Sequence, residues 1–277
     1  MPLRGAPAAK TRISRLPEMQ WKVLRNVLVF KDYVMSDIAA QIGSSIDELT
    51  REFNVISHNL ANVSTVGYKR RCNAFSKSLM AQGAGTKAVS GDESDLYSTF
   101  DFTQGNLIET GRTLDFALCG KGFFVIETPQ GPLYTRNGMF RLNENGQIVD
   151  SLGRTVAGES GPVSIPSGAG LSQISVSTDG SISAAGAAVG KFKLVDFKDN
   201  ESELVAAGFS CFQPPEGIEP EPPENLIVKQ GAHEGSNVQL VEELVDMIMV
   251  SRLYEANMKF LSVGTDISKS LMGVAMG

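Results

Sequence analysis

The stretch SHNLANVSTVGYKR, residues 57–70, lies where the sequence changes from a helical pattern to a β pattern. Ahead of it, apolar residues recur at spacings of three and four, which forms one face of an amphipathic helix: Ile38, Ile42, Ile46, Leu49, Phe53, Ile56 and Leu60. Within it, the short amides of Asn59 and Asn62 can bond helix carbonyls or turn backbone, and Gly67 can adopt a positive φ. We therefore predict that a long helix ends here and that these three residues fix how the chain leaves it. The alternative is that they only cap a helix inside a monomer.

After this stretch come short runs of β-forming residues, at 123–128, 133–136, 139–143 and 147–149. Turn signals separate them: a Pro-flanked turn at 129–132, then Asn137 with Gly138, Asn145 with Gly146 and Asp179 with Gly180. The Asn-Gly and Asp-Gly pairs tolerate the positive φ that tight hairpins require. The middle of the chain is thus predicted to be an antiparallel β body of many short strands.

The far end of the chain returns to a helical period close to a heptad repeat. Its apolar face is made by Leu240, Leu244, Met247, Ser251, Tyr254, Met258, Leu261 and Thr265, and is widened by Val241, Val245 and Ile248. Ser236, with Gln239 three residues later, predicts a capping box at the start of this helix.

These patterns predict an α+β fold in which an antiparallel β body carries long N- and C-terminal helices. Neither helix is next in sequence to a partner that could cover its apolar face, so we expect the two helices to pair as a coiled coil. One pair leaves part of so broad a face uncovered, and neighbouring subunits would supply the rest. The alternative is an αα-hairpin packed on the β body of a monomer.

The predicted segments follow the changes in pattern and composition. They are a basic leader at 1–34, ahead of Met35 as the predicted working start; an N-terminal assembly helix and turn at 35–71; a linker at 72–110; the β body at 111–212; a Pro/Glu-rich connection at 213–235; and a C-terminal assembly helix at 236–277.

Charge is distributed unevenly along the chain, whose formal net charge is -6. Residues 1–34 contain seven of the 25 basic residues and two of the 31 acidic ones, so the remainder has 18 basic and 29 acidic residues and a net charge of -11. Nucleic-acid binding by this acidic remainder is not expected. Aromatic residues make up only 7% of the chain, which does not favour a pocket-rich enzyme with a large aromatic core.

Reactive groups are few, with three cysteines and two histidines. The cysteines are widely spaced and without a CxxC pattern, so no disulfide framework or zinc site is predicted. Pairing of His58 or His233 with Cys72 or Cys211 as base and nucleophile is conceivable, but no local motif supplies a third group. We predict no catalytic residue, no cofactor, no metal and no small-molecule substrate, and the sequence has no apolar run long enough to span a bilayer.

Two clusters of charged residues lie near the predicted helix boundaries. Lys69, Arg70 and Arg71 form a basic triplet, and Glu242, Glu243 and Asp246 are predicted to lie on the exposed side of the C-terminal helix. They could pair between subunits, but a solvated charged face is the commoner arrangement because exposed ion pairs contribute only ~0–1 kcal/mol.

Three stretches resemble bacterial flagellar hook and rod proteins. Residues 57–70 are similar to the N-terminal signature of that family, and residues 234–248, followed by Arg252, the run Tyr254 to Asn257, and Lys259, are similar to its C-terminal signature. In between, GRTLDFAL at 111–118, GKGFF at 120–124 and YTRNG at 134–138 resemble the family's β body. The length matches a rod subunit better than a hook protein, and residues 158–163 and 189–195 look closest to the proximal-rod type.

The resemblance implies a structural subunit of the flagellar basal-body rod, which crosses the periplasm and transmits torque for motility. It implies export by the flagellar export apparatus without a cleaved signal peptide, and partners that are further copies of this chain and other rod subunits. The alternatives are a distal-rod or other hook/basal-body subunit, and a helical adaptor that does not polymerise. The predicted assembly residues are Ile42, Leu49, Phe53, Ile56, Asn59, Leu60, Asn62, Gly67, Val241, Leu244, Val245, Ile248, Tyr254, Met258 and Leu261.

Overall fold

The computed structural model describes residues 18–72 and 99–276, with side chains described for 37–72 and 99–270 apart from 199 and 268. Two long helices flank a set of short strands, which confirms the α+β class. The helices are α1 (Glu18–Ala61) and α2 (Leu240–Met276), with short 3-10 helices at Leu171–Gln173 and Lys198–Glu203.

The strands are short and all pair antiparallel. In chain order they are β1 (Arg71–Cys72), β2 (Thr99–Phe100), β3 (Leu107–Glu109), β4 (Phe116–Cys119), β5 (Phe123–Ile126), β6 (Leu133–Thr135), β7 (Arg141–Leu142), β8 (Ile148–Val149), β9 (Ala157–Gly158), β10 (Gly161–Pro162), β11 (Ile174–Val176), β12 (Ser181–Ala184), β13 (Ala187–Lys191), β14 (Leu194–Val195), β15 (Val205–Gly208), β16 (Cys211–Gln213), β17 (Ile227–Gln230) and β18 (Ala232–Glu234).

The largest sheet has five strands in the order β14-β5-β6-β16-β15. All four residues of β5 are buried, and they alternate between two apolar clusters: Phe124 and Ile126 in one, Phe123 and Val125 in the other. Successive side chains of a strand point to opposite faces, so the sheet is covered on both sides. The runs at 123–128 and 133–136 therefore predicted two strands of this sheet correctly.

Aromatic rings fill both clusters, contrary to the expectation from composition. Phe124 packs edge-on against Phe140 and Phe192 at centroid distances of 5.2 and 5.6 Å, and Phe102 packs against Phe123 and Phe212 at 5.5 and 5.0 Å. Although aromatic residues are few in the whole chain, those of the β body converge on one sheet. The argument from low aromatic content against a large aromatic core was wrong.

Segments predicted as connections contribute strands. β3 lies in the predicted linker at 72–110 and pairs with β18, while β17 and β18 lie in the predicted connection at 213–235, with β17 pairing with β4. These pairs join residues more than a hundred positions apart, and such contacts leave no local periodicity in the sequence. Residues 73–98 of the predicted linker lie outside the described residues.

The helices begin at other residues than predicted. α1 begins at Glu18, well before Met35, and no glycine or proline interrupts residues 18–34. The described part of the predicted leader, from 18 onward, is therefore helical, and residues 1–17 lie outside the description.

α2 begins at Leu240, and Ser236 is not its cap. The Gln239 carbonyl accepts the first helical hydrogen bond, from Glu243 N, whereas the Ser236 hydroxyl accepts from Val238 N just two residues on. The capping box predicted at Ser236 was wrong because this segment is held in a turn ahead of the helix.

Contacts divide the chain into two units. One, referred to below as the body unit, runs from Thr50 to Ser251 and contains the β strands, the last turns of α1 and the first turns of α2. The other holds the outer parts of the two helices, up to Leu49 and from Arg252 onward. Within the part of the chain that the structure describes, no helix has the length and apolar content needed to cross a membrane.

Candidate functional site

The two ends of the chain meet in the body unit around the side chain of Asn59, which is fully buried. Its Oδ1 accepts hydrogen bonds from Arg71 N (2.9 Å) and from the Tyr68 hydroxyl (3.2 Å). Its Nδ2 donates to Arg71 O (3.0 Å) and to both carboxylate oxygens of Glu243, at 3.2 and 3.3 Å. Its backbone partner is Arg71 of β1 rather than a residue of the predicted turn, and the bond to α2 had no signal in the sequence.

Glu243 is the second member of this junction, and its side chain has no exposed surface. Besides Asn59, its Oε1 accepts a hydrogen bond from Arg70 Nε, and Asp246 lies 3.7 Å from another guanidinium nitrogen of Arg70. A buried carboxylate requires such partners because its desolvation is otherwise uncompensated. The expectation that Glu243 lies on a solvated face was therefore wrong, because Arg70 of the basic triplet pairs with it inside the same chain.

A second buried ionic group lies in the same unit, around Glu234 at the end of β18. Lys69 Nζ donates to Glu234 Oε1 at 2.6 Å and to Thr103 O at 2.7 Å. Glu234 Oε1 also accepts from Gly105 N at 2.9 Å, and Arg136 Nη1 lies 3.5 Å from Glu234 Oε2. Lys69 was predicted to be solvated and is instead buried, whereas Arg70 is half-buried.

The pKa directions reflect this burial. Burial lowers the pKa of the Lys69 ammonium, although the charge of Glu234 opposes the shift. Burial alone would also lower the pKa of the Arg70 guanidinium, but its hydrogen bond to Glu243 and the charge of that carboxylate outweigh it and raise the pKa. Burial raises the pKa of the Tyr68 phenol. Arg70 therefore remains positively charged beside Glu243.

Asn62 and Gly67 act as the signature predicts. Asn62 Nδ2 donates to His58 O at 2.9 Å, which satisfies a carbonyl of the last turn of α1, and its Oδ1 accepts from the Thr65 hydroxyl. Gly67 has φ +66°, and a Cβ there would lie 2.4 Å from Asn137 N. Only glycine fits this turn, both for its backbone conformation and for the close approach of a neighbouring chain segment.

Gly138 is required for a different reason from the one predicted. It does not adopt a positive φ, but a Cβ on it would lie 1.8 Å from Phe116 O. Close approach of β4 therefore excludes any side chain at this position.

The first turns of α2 direct inward a face that carries two carboxylates and two apolar side chains. Glu243 and Val250 are buried and Asp246 and Met247 are half-buried, and these four positions share one face because of the helical repeat. The opposite face is apolar and exposed, and we call it the outward stripe: Val241 (72% exposed), Leu244 (45%), Val245 (51%) and Ile248 (62%). The single chain thus leaves uncovered the apolar residues that the pattern predicted to be covered.

The other predicted assembly residues differ in exposure. In α1, Leu49, Ile56 and Asn59 are buried, Ile42 and Leu60 are half-buried, and Phe53 is 42% exposed. In α2 beyond the body unit, Tyr254 and Met258 are exposed and Leu261 is half-buried. Glu243 and Arg70 are the junction residues that pattern reasoning left out of the predicted set.

The histidine and cysteine considered as base and nucleophile do not have the properties that catalysis requires. His58 and Cys211 both line a cavity of about 420 Å³ beside Tyr68 and Arg71. Burial raises the pKa of the Cys211 thiol, the opposite of what a nucleophilic cysteine requires. Among the residues described, no three His, Cys, Asp or Glu side chains are grouped so as to hold a metal ion.

The geometry therefore defines a class: a protein in which the end of the first long helix and the start of the last one are joined by buried polar contacts, and the last helix presents an apolar face. Three family descriptions match the chain: "Flagella basal body rod protein" at residues 48–69, "Flagellar hook protein FlgE/F/G D1 domain" at 117–184, and "Flagellar basal body rod FlgEFG protein C-terminal" at 229–274. The first match contains Asn59 and Tyr68 and the last contains Glu243, whereas Arg70 and Arg71 follow directly after the first match.

Relatives that match most of the chain are also flagellar rod proteins. The chain is 34% identical over 258 residues to the flagellar basal-body rod protein FlgG of Buchnera aphidicola subsp. Acyrthosiphon pisum, covering 82% of this chain and 95% of the relative. It is 31% identical over 225 residues to FlgF of Caulobacter vibrioides (80% and 91% covered) and 33% identical over 227 residues to FlgF of Salmonella typhimurium (75% and 86%). The chain belongs to the flagellar basal-body rod protein family, which places it in the rod of the bacterial flagellar basal body.

Proposed function

We propose that this chain is a non-enzymatic building block of the rod that polymerises through its terminal helices and transmits torque in flagellum-dependent motility. The observation that carries the proposal is the outward stripe of α2. Its residues are exposed in the single chain because Glu243 fixes the opposite face inward, and exposed contiguous apolar surface of this kind marks an interaction site.

The partners are further copies of this chain and other rod subunits. The outer parts of α1 and α2 belong to one compact unit, which supports their pairing as a coiled coil. Within that unit, apolar residues of α2 such as Tyr254 and Met258 remain exposed and are available to neighbours. In a helical polymer each such surface meets a different surface of the next subunit, so contacts repeat without closing.

The proximal part of the rod is the proposed position, on the resemblance of residues 158–163 and 189–195 to that type. The relatives named FlgF and FlgG are similar to the chain at nearly the same identity, so the distal rod is the competing position. Export by the flagellar apparatus without a cleaved signal peptide, and passage of the rod through the periplasm, complete the proposal.

Leu244→Glu tests it. Leu244 is 45% exposed in the single chain, so the charge should leave the fold intact, whereas burial of an unpaired carboxylate between subunits costs several kcal/mol. The variant should be made and exported but absent from isolated basal bodies, and cells should not swim. Glu242→Lys, at an exposed position of the same helix, is the control and should assemble. Normal swimming with Leu244→Glu would refute assembly through this face. Absence of the wild-type chain from basal bodies would indicate the adaptor.

A further inference from the structure

We propose that Glu243 is a positioning residue for assembly: its contacts with Asn59 and Arg70 hold the first turns of α2 on the body unit of the free subunit, so that the outward stripe is formed before a second copy docks. The inference rests on the proposed function, because the docking partner is another subunit of the rod. Asn59, Arg70 and Glu243 would fix the orientation of the outward stripe, and the stripe would form before docking.

The orientation of this helix is not the one that apolar burial alone would select. Val241, Val245 and Ile248 are more than half exposed, while the carboxylate of Glu243 has no exposed surface. Turning the helix over would bury those three side chains and expose Val250 and the half-buried Met247, an exchange that still favours the turned helix on apolar burial. It would also remove Glu243 from its hydrogen-bond donors, so the polar contacts decide which face is presented to neighbours.

The donors belong to the end of the first helix and the turn after it. Asn59 Nδ2 reaches both oxygens of Glu243, and Arg70 Nε reaches one of them. Asn59 is itself fixed by Arg71 N and O and by the Tyr68 hydroxyl. The contact therefore requires residues 59–71 to be folded, and it makes the two ends of the chain order together.

The same turn is also tied to the segment that leads into α2. Asn237 Oδ1 accepts from Arg70 N at 2.7 Å, and Asn237 Nδ2 donates to Asp101 O at 2.8 Å. Glu243 lies further along, in the first turn of α2, where its contacts fix which face of the helix points inward. Asn237 fixes where the helix begins, and Glu243 fixes its rotation.

Exchanging the amide of Asn59 and the carboxylate of Glu243 changes their hydrogen bonding but hardly their size. These variants therefore separate a positioning role of Glu243 from a packing role. Asn59→Asp places two buried carboxylates against each other. Glu243→Gln alone opposes its new amide to the amide of Asn59. In the double variant, the amide introduced on α2 can donate to the carboxylate introduced on α1 and still accept from Arg70, so the contact between the helices is restored with almost no change in side-chain volume. The bond that Asn59 Nδ2 donates to Arg71 O stays lost, so the recovery is partial. Glu242→Gln, exposed and one residue away, is the control.

The measurement is amide hydrogen exchange in the dilute, full-length, unassembled subunit. Asn59→Asp should lower the protection of residues 240–251 and 59–71 by at least about tenfold, with β5 unaffected. The double variant should recover part of that loss, chiefly at residues 240–251, because Arg71 O remains without its donor. Glu242→Gln should match the wild type. Wild-type protection in Asn59→Asp, or a double variant as unprotected as the sum of its single changes, would overturn the proposal.

Measuring incorporation into basal bodies as well distinguishes failure of the positioning role from failure of the proposed function. Incorporation into basal bodies should follow the same order: lost in Asn59→Asp, partly recovered in the double variant. If exchange follows the predicted order while Leu244→Glu still assembles, the positioning role of Glu243 holds and polymerisation through the outward stripe fails. If Leu244→Glu blocks assembly but the exchange cycle is additive, the stripe holds and the positioning role fails.

Discussion

Lys69 Nζ lies 2.6 Å from Glu234 Oε1, and neither side chain has any exposed surface. The pair joins the turn after α1 to the strand that leads toward α2. A buried ion pair is weak evidence of added stability, because the desolvation of both charges offsets their attraction. Removing one member is a different matter, since the other charge then remains buried without its partner.

Glu234→Ala should therefore be strongly destabilising. The change leaves the ammonium of Lys69 and the guanidinium of Arg136 without their shared carboxylate, and breaking a buried pair in this way costs ~3–5 kcal/mol. Urea denaturation of the purified subunit measures it. Glu109→Ala is the matched control, since Glu109 lies on the neighbouring strand β3 and pairs with Lys229 in solvent. Equal midpoints for the two variants would contradict the account of this pair.

Gly67→Ala should be more damaging than Gly111→Ala, although both glycines have nearly the same φ, +66° and +68°. An alanine in the left-handed region costs ~1–3 kcal/mol at either position. At Gly67 its Cβ would also collide with Asn137 N, whereas nothing lies within 4 Å at Gly111. The difference between the two denaturation midpoints isolates the collision. Similar losses at the two positions would mean that the turn and its neighbour move apart at little cost.

Phe209→Asn should stabilise the protein. Phe209 and Ser210 form the turn between β15 and β16 with φ values of +52° and +55°, and Phe209 is 73% exposed. Asparagine tolerates this backbone conformation better than phenylalanine, as in type I′ hairpins, so a gain of about 0.5–1 kcal/mol is expected. Thermal unfolding of the free subunit provides the measurement. A fall in melting temperature would show that the exposed ring contributes to the fold despite its exposure.

The free energy of unfolding of the wild type should fall at alkaline pH, and it should fall less in Cys211→Ala. Burial raises the pKa of this thiol above its usual 9.0. As the pH passes 9.0, the unfolded chain loses the thiol proton while the folded chain retains it, so the equilibrium shifts toward unfolding. Urea midpoints compared between about pH 8 and about pH 10 should fall less for Cys211→Ala. Tyr68 and Lys69 titrate in both proteins and do not affect the difference, so parallel curves would contradict the predicted role of the thiol.

Local sequence determined much of this protein. The spacing of Leu49 and Ile56 predicted the first helix, and the amide of Asn62 and the backbone freedom of Gly67 predicted the turn that ends it. Runs of β-forming residues and the turn residues between them located β5 and β6, because strand propensity and tight turns depend on neighbouring residues. The two terminal signatures also identified the family correctly.

Only the tertiary structure decided what those elements contact. An apolar stripe states that one face of α2 must be covered, but it does not state whether the body or another subunit covers it. Glu243 resembles any surface glutamate in the sequence, and it is buried because Asn59, 184 positions earlier, and Arg70 are brought to it by the folded ends of the chain. The cost of burying a carboxylate depends on the donors around it, and that is a property of three-dimensional proximity which no local pattern contains.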